Sequence, residues 1–169
     1  MDRLWAPWRA QYIQENSNKA APSDDACFLC RSLASDTSLD RNNLLVWRSL
    51  HAAVFLNRYP YNSGHLLVAP IVHVGSLVGL EGDQLIGPIE AVRRAVSALD
   101  RILRPQGYNI GLNLGKAAGA GLPGHLHWHI VPRWDGDTNF MPVLGNTKVI
   151  VESLFEFYDR LVTELDPSC

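Results

Sequence analysis

In "HLHWHIVP", residues 125–132, polar and apolar positions alternate strictly from His125 to Ile130. Side chains on a strand point to opposite faces in turn, so this period of two predicts a half-buried strand with Leu126, Trp128 and Ile130 on a core face. Four other runs read as further strands: "NLLVWRS" and "AAVFLN", joined near residues 49–51, then "HLLVAP", stopped by Pro70, and "YNIGLNLG". The segment "RYPYNSG" between the second and third is a turn, rich in Pro, Asn and Gly. Over 83–103 the period changes. Leu85, Ile89, Val92, Val96, Leu99 and Leu103 recur in steps of four and three, which predicts one amphipathic helix. Pro88 falls in its early turns and implies a later start or a slight kink. "SLFEFYDRLVTEL" predicts a closing helix, and residues 1–26 read as a peripheral segment whose polar stretch "QENSNKAAPSDDA" is a loop. The fold class is α+β, with no internal repeat and no low-complexity tract.

Composition bounds the class of protein. A chain of 169 residues is expected to be one domain with a sizeable core. A net charge of −2 argues against a polybasic nucleic-acid surface, and no apolar run approaches the ~20 residues of a membrane span. The opening "MDRLWAPWRAQYI" lacks the apolar stretch of a secretory signal. Three cysteines, an odd number, fit a disulfide framework poorly and suit a reducing cytoplasm.

The face of the strand opposite its core carries the chemistry. Three of six histidines, His125, His127 and His129, share it at roughly 6.6 Å per same-face step. That spacing suits groups acting together on one extended, charged ligand. Just before it, "GKAAGAGLPG" holds four glycines in ten residues, Gly119 and Gly121 among them, so backbone N–H groups can approach an anion. Lys116 there adds charge or is simply solvated. Cys27-x-x-Cys30 has a metal or redox spacing. A thioredoxin-like role wants a strand before the pair and a helix after it, which the preceding loop does not provide. Phe28, Leu29, Phe55 and Leu56 could form an apolar slot or belong to the core. Trp5 and Trp8 are expected to pack on the same chain or across a dimer. His51 reads as a surface or turn residue, Cys169 as a free thiol, and Trp134 either borders the site or closes the core.

With these elements in hand, "HLHWHIV" resembles the defining motif of the histidine triad superfamily of nucleotide hydrolases and transferases. "FLNRYPYNSGHLLVAPIVHV" resembles the family's nucleoside-binding strand and turn, and "GYNIGLNLGKAAGAGLPGHLHWHIVPRW" the approach to the triad. "GDTNFMPVLGNTKVI" is most similar to bacterial members related to diadenosine tetraphosphate phosphorylases. The likeness covers roughly residues 27–151, within one domain spanning 1–169 that ends in a helix and tail over 152–169.

The resemblance implies an antiparallel sheet of about five strands with one long helix and a C-terminal helix, in a homodimer. It implies attack by His127 on the α-phosphorus of a nucleotide such as a dinucleoside polyphosphate, through a covalent nucleotidyl-histidine. His129 then touches phosphate oxygens or protonates the departing group, and His65 lies near the phosphates. Asn57 matches a ribose-binding position, although a turn-forming Asn is the alternative. Relatives often carry Gln or Ser where this chain has Gly121, so backbone amides must supply that donor. Zinc-bearing members add two histidines to a cysteine pair, and His73 and His125 match them. Cys27, Cys30, His73 and His125 thus form an implied zinc set with a structural role, one same-face step from the nucleophile. Two other functions stay open: a nucleotide-binding regulator with little turnover, and a zinc-stabilised interaction module.

Overall fold

The structure is a computed structural model that describes residues 27–138 and 152–165. The N-terminal segment with Trp5 and Trp8, most of "GDTNFMPVLGNTKVI" and Cys169 lie outside the described residues. In chain order come α1 (Phe28–Ala34), a 3-10 turn at Thr37–Leu39, α2 (Asp40–Asn43), β1 (Leu45–Arg48), β2 (Ala52–Leu56), β3 (Leu66–Pro70), a 3-10 turn at Leu77–Gly79, α3 (Asp83–Leu103), β4 (Gly107–Leu112), a 3-10 turn at Lys116–Ala118, β5 (Trp128–Arg133) and α4 (Leu154–Leu165). The five strands form one sheet in the order β1-β2-β3-β5-β4, and every neighbouring pair is antiparallel. This is the expected α+β architecture.

The register sorts side chains onto two faces. Val54 pairs with Val68, Val68 with Trp128, and Leu66 with Ile130; these residues join Leu126 in the main core. Helices α3 and α4 cover that face. On the other face Phe55 pairs with Leu67, Leu67 with His129, and His129 with Gly111. Here α1 seats Leu29 against Leu45, Ala53, Phe55, Leu67, Ala69 and Leu122. The predicted alternation therefore holds from Trp128 onward, with His129 on the face that carries the smaller cluster.

Three expectations need correction. The fifth strand begins at Trp128, not His125, because the preceding backbone bonds elsewhere: Leu126 N–H donates to Val74 O at 2.7 Å. That approach is close enough that a Cβ on Gly75 would meet Pro123 O at 2.6 Å. Helix α3 starts at Asp83 despite Pro88, which is buried, and the stripe it buries is Pro88, Ala91, Ala95, Ala98 and Leu99. Ile89, predicted to face inward, is 50% exposed and Leu85 36%. Alanines let the helix axis approach β2 and β3, and the larger side chains flank the contact. Finally, a helix does form at the cysteine pair: it starts between the two cysteines and contains Cys30. Cys27 caps α1 by accepting from the Cys30 N–H at 3.5 Å, although no strand among the described residues precedes it. Leu29, Phe55 and Leu56 are core residues, whereas Phe28 is 42% exposed.

Candidate active site and metal centre

The backbone just ahead of β5 orients the central histidine. His127 Nδ1 lies 2.9 Å from the His125 carbonyl oxygen. A carbonyl can only accept, so Nδ1 carries the proton and Nε2 keeps its lone pair. His127 is buried, and burial pushes its pKa below the ordinary imidazole value. The ring is thereby held neutral with one bare nitrogen, which is the state a nucleophile requires. His129 follows one same-face step on, its ring centroid 5.0 Å from that of His127.

Behind His129 stands a second layer. His65, fully buried, places Nε2 2.9 Å from His129 Nδ1. The Tyr61 N–H donates to His65 Nδ1 at 3.0 Å, and the Tyr61 ring stacks on His129 with centroids 6.0 Å apart. Asn57 turns its amide nitrogen toward the His65 ring while its oxygen accepts the Tyr59 N–H at 3.0 Å. One N–H and one lone pair of that amide remain for a diol. The amide of Asn113, beyond the end of β4, lies 3.4 Å from His129 Nε2. Sequence reasoning missed Asn113 and Tyr61. "GLNLG" did contain a polar residue where the strand reaches the triad, a signal that could have found the first.

At the other end of the triad, His125 joins a different cluster. Cys27, Cys30, His73 and His125 bring four donor atoms within 4.8 Å of one another. Cys27 Sγ is 3.3 Å from His125 Nδ1, Cys30 Sγ is 3.4 Å from the same nitrogen, and Cys30 Sγ is 3.1 Å from His73 Nδ1. Sulfur and nitrogen donors on a tetrahedral zinc are about 3.6 Å apart, so the set fits that ion closely. His125 Nε2 is 2.9 Å from Pro70 O, which fixes its proton there and leaves Nδ1 free to ligate.

These placements can be set beside known proteins. A family model described as the HIT domain matches residues 40–136. The chain belongs to the HIT domain family. An AP-4-A phosphorylase from Mycobacterium tuberculosis is 37% identical over 164 residues, 97% of this chain and 84% of that protein. An asymmetrical bis(5'-nucleosyl)-tetraphosphatase from Schizosaccharomyces pombe is 33% identical over 91 residues, covering 54% of this chain and 50% of that protein. Among solved structures, a zinc-bound histidine triad family protein from Mycobacterium smegmatis superposes with a TM-score of 0.66 at 23% identity, covering 85% of this chain and 95% of its own.

Within this HIT fold, the glycine loop divides. Gly119 closes the 3-10 turn in a left-handed conformation (φ +85°) and donates its N–H to Lys116 O, so that amide serves the turn. Gly121 is exposed beside it. His51 stands apart from the site, 3.8 Å from Asp83 at the surface. Trp134 is half-buried, with its N–H on Asp137 at the exit of β5.

Proposed function

We propose that this chain is a nucleotidyl hydrolase or phosphorylase acting on dinucleoside polyphosphates, with diadenosine tetraphosphate as the leading substrate. The observation that carries the reading is the His127 Nδ1–H bond to its own chain's His125 carbonyl, which leaves Nε2 bare. Nε2 attacks the α-phosphorus; the Pα–N bond forms and the bond to the bridging oxygen breaks, its electron pair leaving with the polyphosphate. The nucleotidyl-imidazolium keeps the Nδ1–H, and the carbonyl stabilises its charge. Water or inorganic phosphate then attacks Pα, loses its proton to solvent, and returns the electron pair to Nε2. Asn57 takes the ribose hydroxyls, His129 and Gly121 lie along the phosphates, and Gly119 shapes that loop. The similarity to the M. tuberculosis AP-4-A phosphorylase supports this choice over a binding regulator.

The Cys27, Cys30, His73 and His125 set would hold zinc in a structural role, binding α1 to the segments around His73 and His125. The donor spacing and the zinc-bound M. smegmatis protein of the same fold support that ion. The chain is further read as one cytoplasmic domain over 1–169 that forms a homodimer. Among the described residues no helix is long and apolar enough to cross a membrane.

Product analysis tests the reading. Diadenosine tetraphosphate incubated with the protein should yield ADP and ATP only when inorganic phosphate is added if the acceptor is phosphate. AMP and ATP without phosphate identify an asymmetric hydrolase. No product under either condition leaves the regulator.

A further inference from the structure

The chemistry above leaves the protons of His129 unassigned, and the buried histidine behind it assigns them. A backbone N–H is only a donor, so the Tyr61 N–H at 3.0 Å requires a lone pair on His65 Nδ1. The Asn57 amide agrees: its oxygen is taken by Tyr59 N–H, which turns Nδ2 toward the same ring, 3.2 Å from Nδ1 and 3.4 Å from Nε2. An imidazole carries a proton on at least one nitrogen, so His65 carries its own on Nε2. That atom is 2.9 Å from His129 Nδ1, which must therefore accept. The same rule then puts the proton of His129 on Nε2. Two donors cannot pair, so the Asn113 amide turns its oxygen to that N–H, carboxamide oxygen and nitrogen being interchangeable in shape.

We propose that the Tyr61 backbone and His65 form a relay that locks His129 as a neutral Nε2–H donor, which binds a phosphoryl oxygen without surrendering its proton. His65 is thus a positioning residue. A consequence follows for the substrate, and it rests on the nucleotidyl-transfer reading. With Nδ1 holding the His65 N–H, His129 could protonate a departing atom only by leaving an imidazolate, either on itself or, if the His65 proton shifted onto Nδ1, on His65, whose own Nδ1 faces a backbone N–H that is not surrendered. Leaving groups that depart as stable anions need no such proton. A polyphosphate chain does so; an amine or an alkoxide does not. The site therefore selects nucleoside polyphosphates over nucleoside phosphoramidates and simple alkyl esters. During transfer the Pα–O bond breaks with its electron pair on the polyphosphate, while the His129 N–H stays hydrogen-bonded and intact.

Long-range 1H–15N correlation spectra of the full, uniformly labelled chain near pH 7, without nucleotide, test the relay directly. Both His65 and His129 should show a protonated Nε2 and a bare Nδ1. His129 observed as an Nδ1–H tautomer or as imidazolium overturns the proposal. In His65→Leu the His129 tautomer should become mixed, and kcat on diadenosine tetraphosphate should fall by up to about 10²-fold with KM little changed. His65→Gln, whose amide can again donate, should recover much of that loss. Adenosine 5'-phosphoramidate should be processed at least about 10²-fold more slowly than the polyphosphate, the usual worth of an absent general acid. Equal rates refute the leaving-group consequence. Should His65→Leu fail to fold, the parent's spectra and this substrate pair still decide. Correct tautomers with no turnover of any nucleotide uphold the relay and refute the catalytic reading instead.

Discussion

At the scale of residues, the site depends on which ring nitrogen is bare. His127→Ala removes the proposed attacking atom, so kcat should fall by at least about 10⁴-fold while metal content and fold persist. His129→Ala removes a donor only, and a loss of about 10²–10³-fold is expected. Steady-state rates on diadenosine tetraphosphate check both; near-parental turnover by His127→Ala would exclude a covalent route. The pH profile gives an independent check. Burial lowers the His127 pKa, so the bare nitrogen persists below the ordinary imidazole value of about 6.5. The acid limb of kcat/KM should therefore fall below about pH 6.5, with a substrate whose internal phosphates do not titrate there. A limb at or above that value argues against a buried nucleophile. His127 was legible in the sequence because strict alternation marks a face. Tyr61 was not, because its contribution to His65 is a main-chain N–H, which every residue but proline possesses.

At the scale of elements, two clasps hold the strands that carry these rings. The first is the proposed metal set, whose four ligand side chains bring α1 together with the segment after β3 and the lead into β5. Cys27→Ala should lose the metal and lower the unfolding temperature, and calorimetry with elemental analysis should move together. Metal-free protein from parental chain, even after zinc reconstitution, would sink this assignment. The second clasp is Asp137. Its carboxylate accepts from Arg133 at 2.6 and 2.8 Å, from Asn62 at 2.9 Å and from the Trp134 N–H, tying the turn before β3 to the exit of β5. Hydrogen bonding to Arg133 holds its pKa well below the usual carboxylate range. A depressed folded pKa means the unfolded chain binds the proton more readily. The stabilisation is thus complete above about pH 4 and disappears as pH falls further. Asp137→Asn should cost about 1–3 kcal/mol at neutral pH, less any screening at the half-exposed Arg133, and should flatten the acid limb of a denaturation series. Neither clasp is a periodic feature. The metal set was legible only as four ligand types matched to a family pattern, and Asp137 was not legible at all. Helix α3 was legible in extent yet not in facing, because periodicity weights Ile89 above Ala91 while close packing on a sheet favours the alanine.

At the scale of the whole molecule, the question is how the sheet ends. One edge, β1, is blunted: it has four residues, its register against β2 shifts between Leu45 and Trp47, and the Leu45 carbonyl is taken by the Tyr158 hydroxyl. The other edge among the described residues, β4, is longer, regularly paired to β5, and exposes Asn109, Ile110 and Gly111. Ile110 is 47% exposed and Leu114, just beyond the strand, 48%. An edge with unpaired N–H and C=O groups and an apolar side chain favours pairing with another chain. The proposed homodimer is therefore expected to form through β4 against β4. β4 also leads directly into Asn113 beside His129, so pairing there would stiffen the strand that delivers this contact. Sedimentation equilibrium should give a dimer for the parent and a monomer for Ile110→Lys, in which a charge occupies the centre of the edge. The monomeric variant should retain its metal, since the four ligands lie on other segments, and should lose part of kcat through a looser Asn113. A parent that sediments as a monomer at micromolar concentration would remove the dimer. A dimer unchanged by Ile110→Lys would move its interface away from β4.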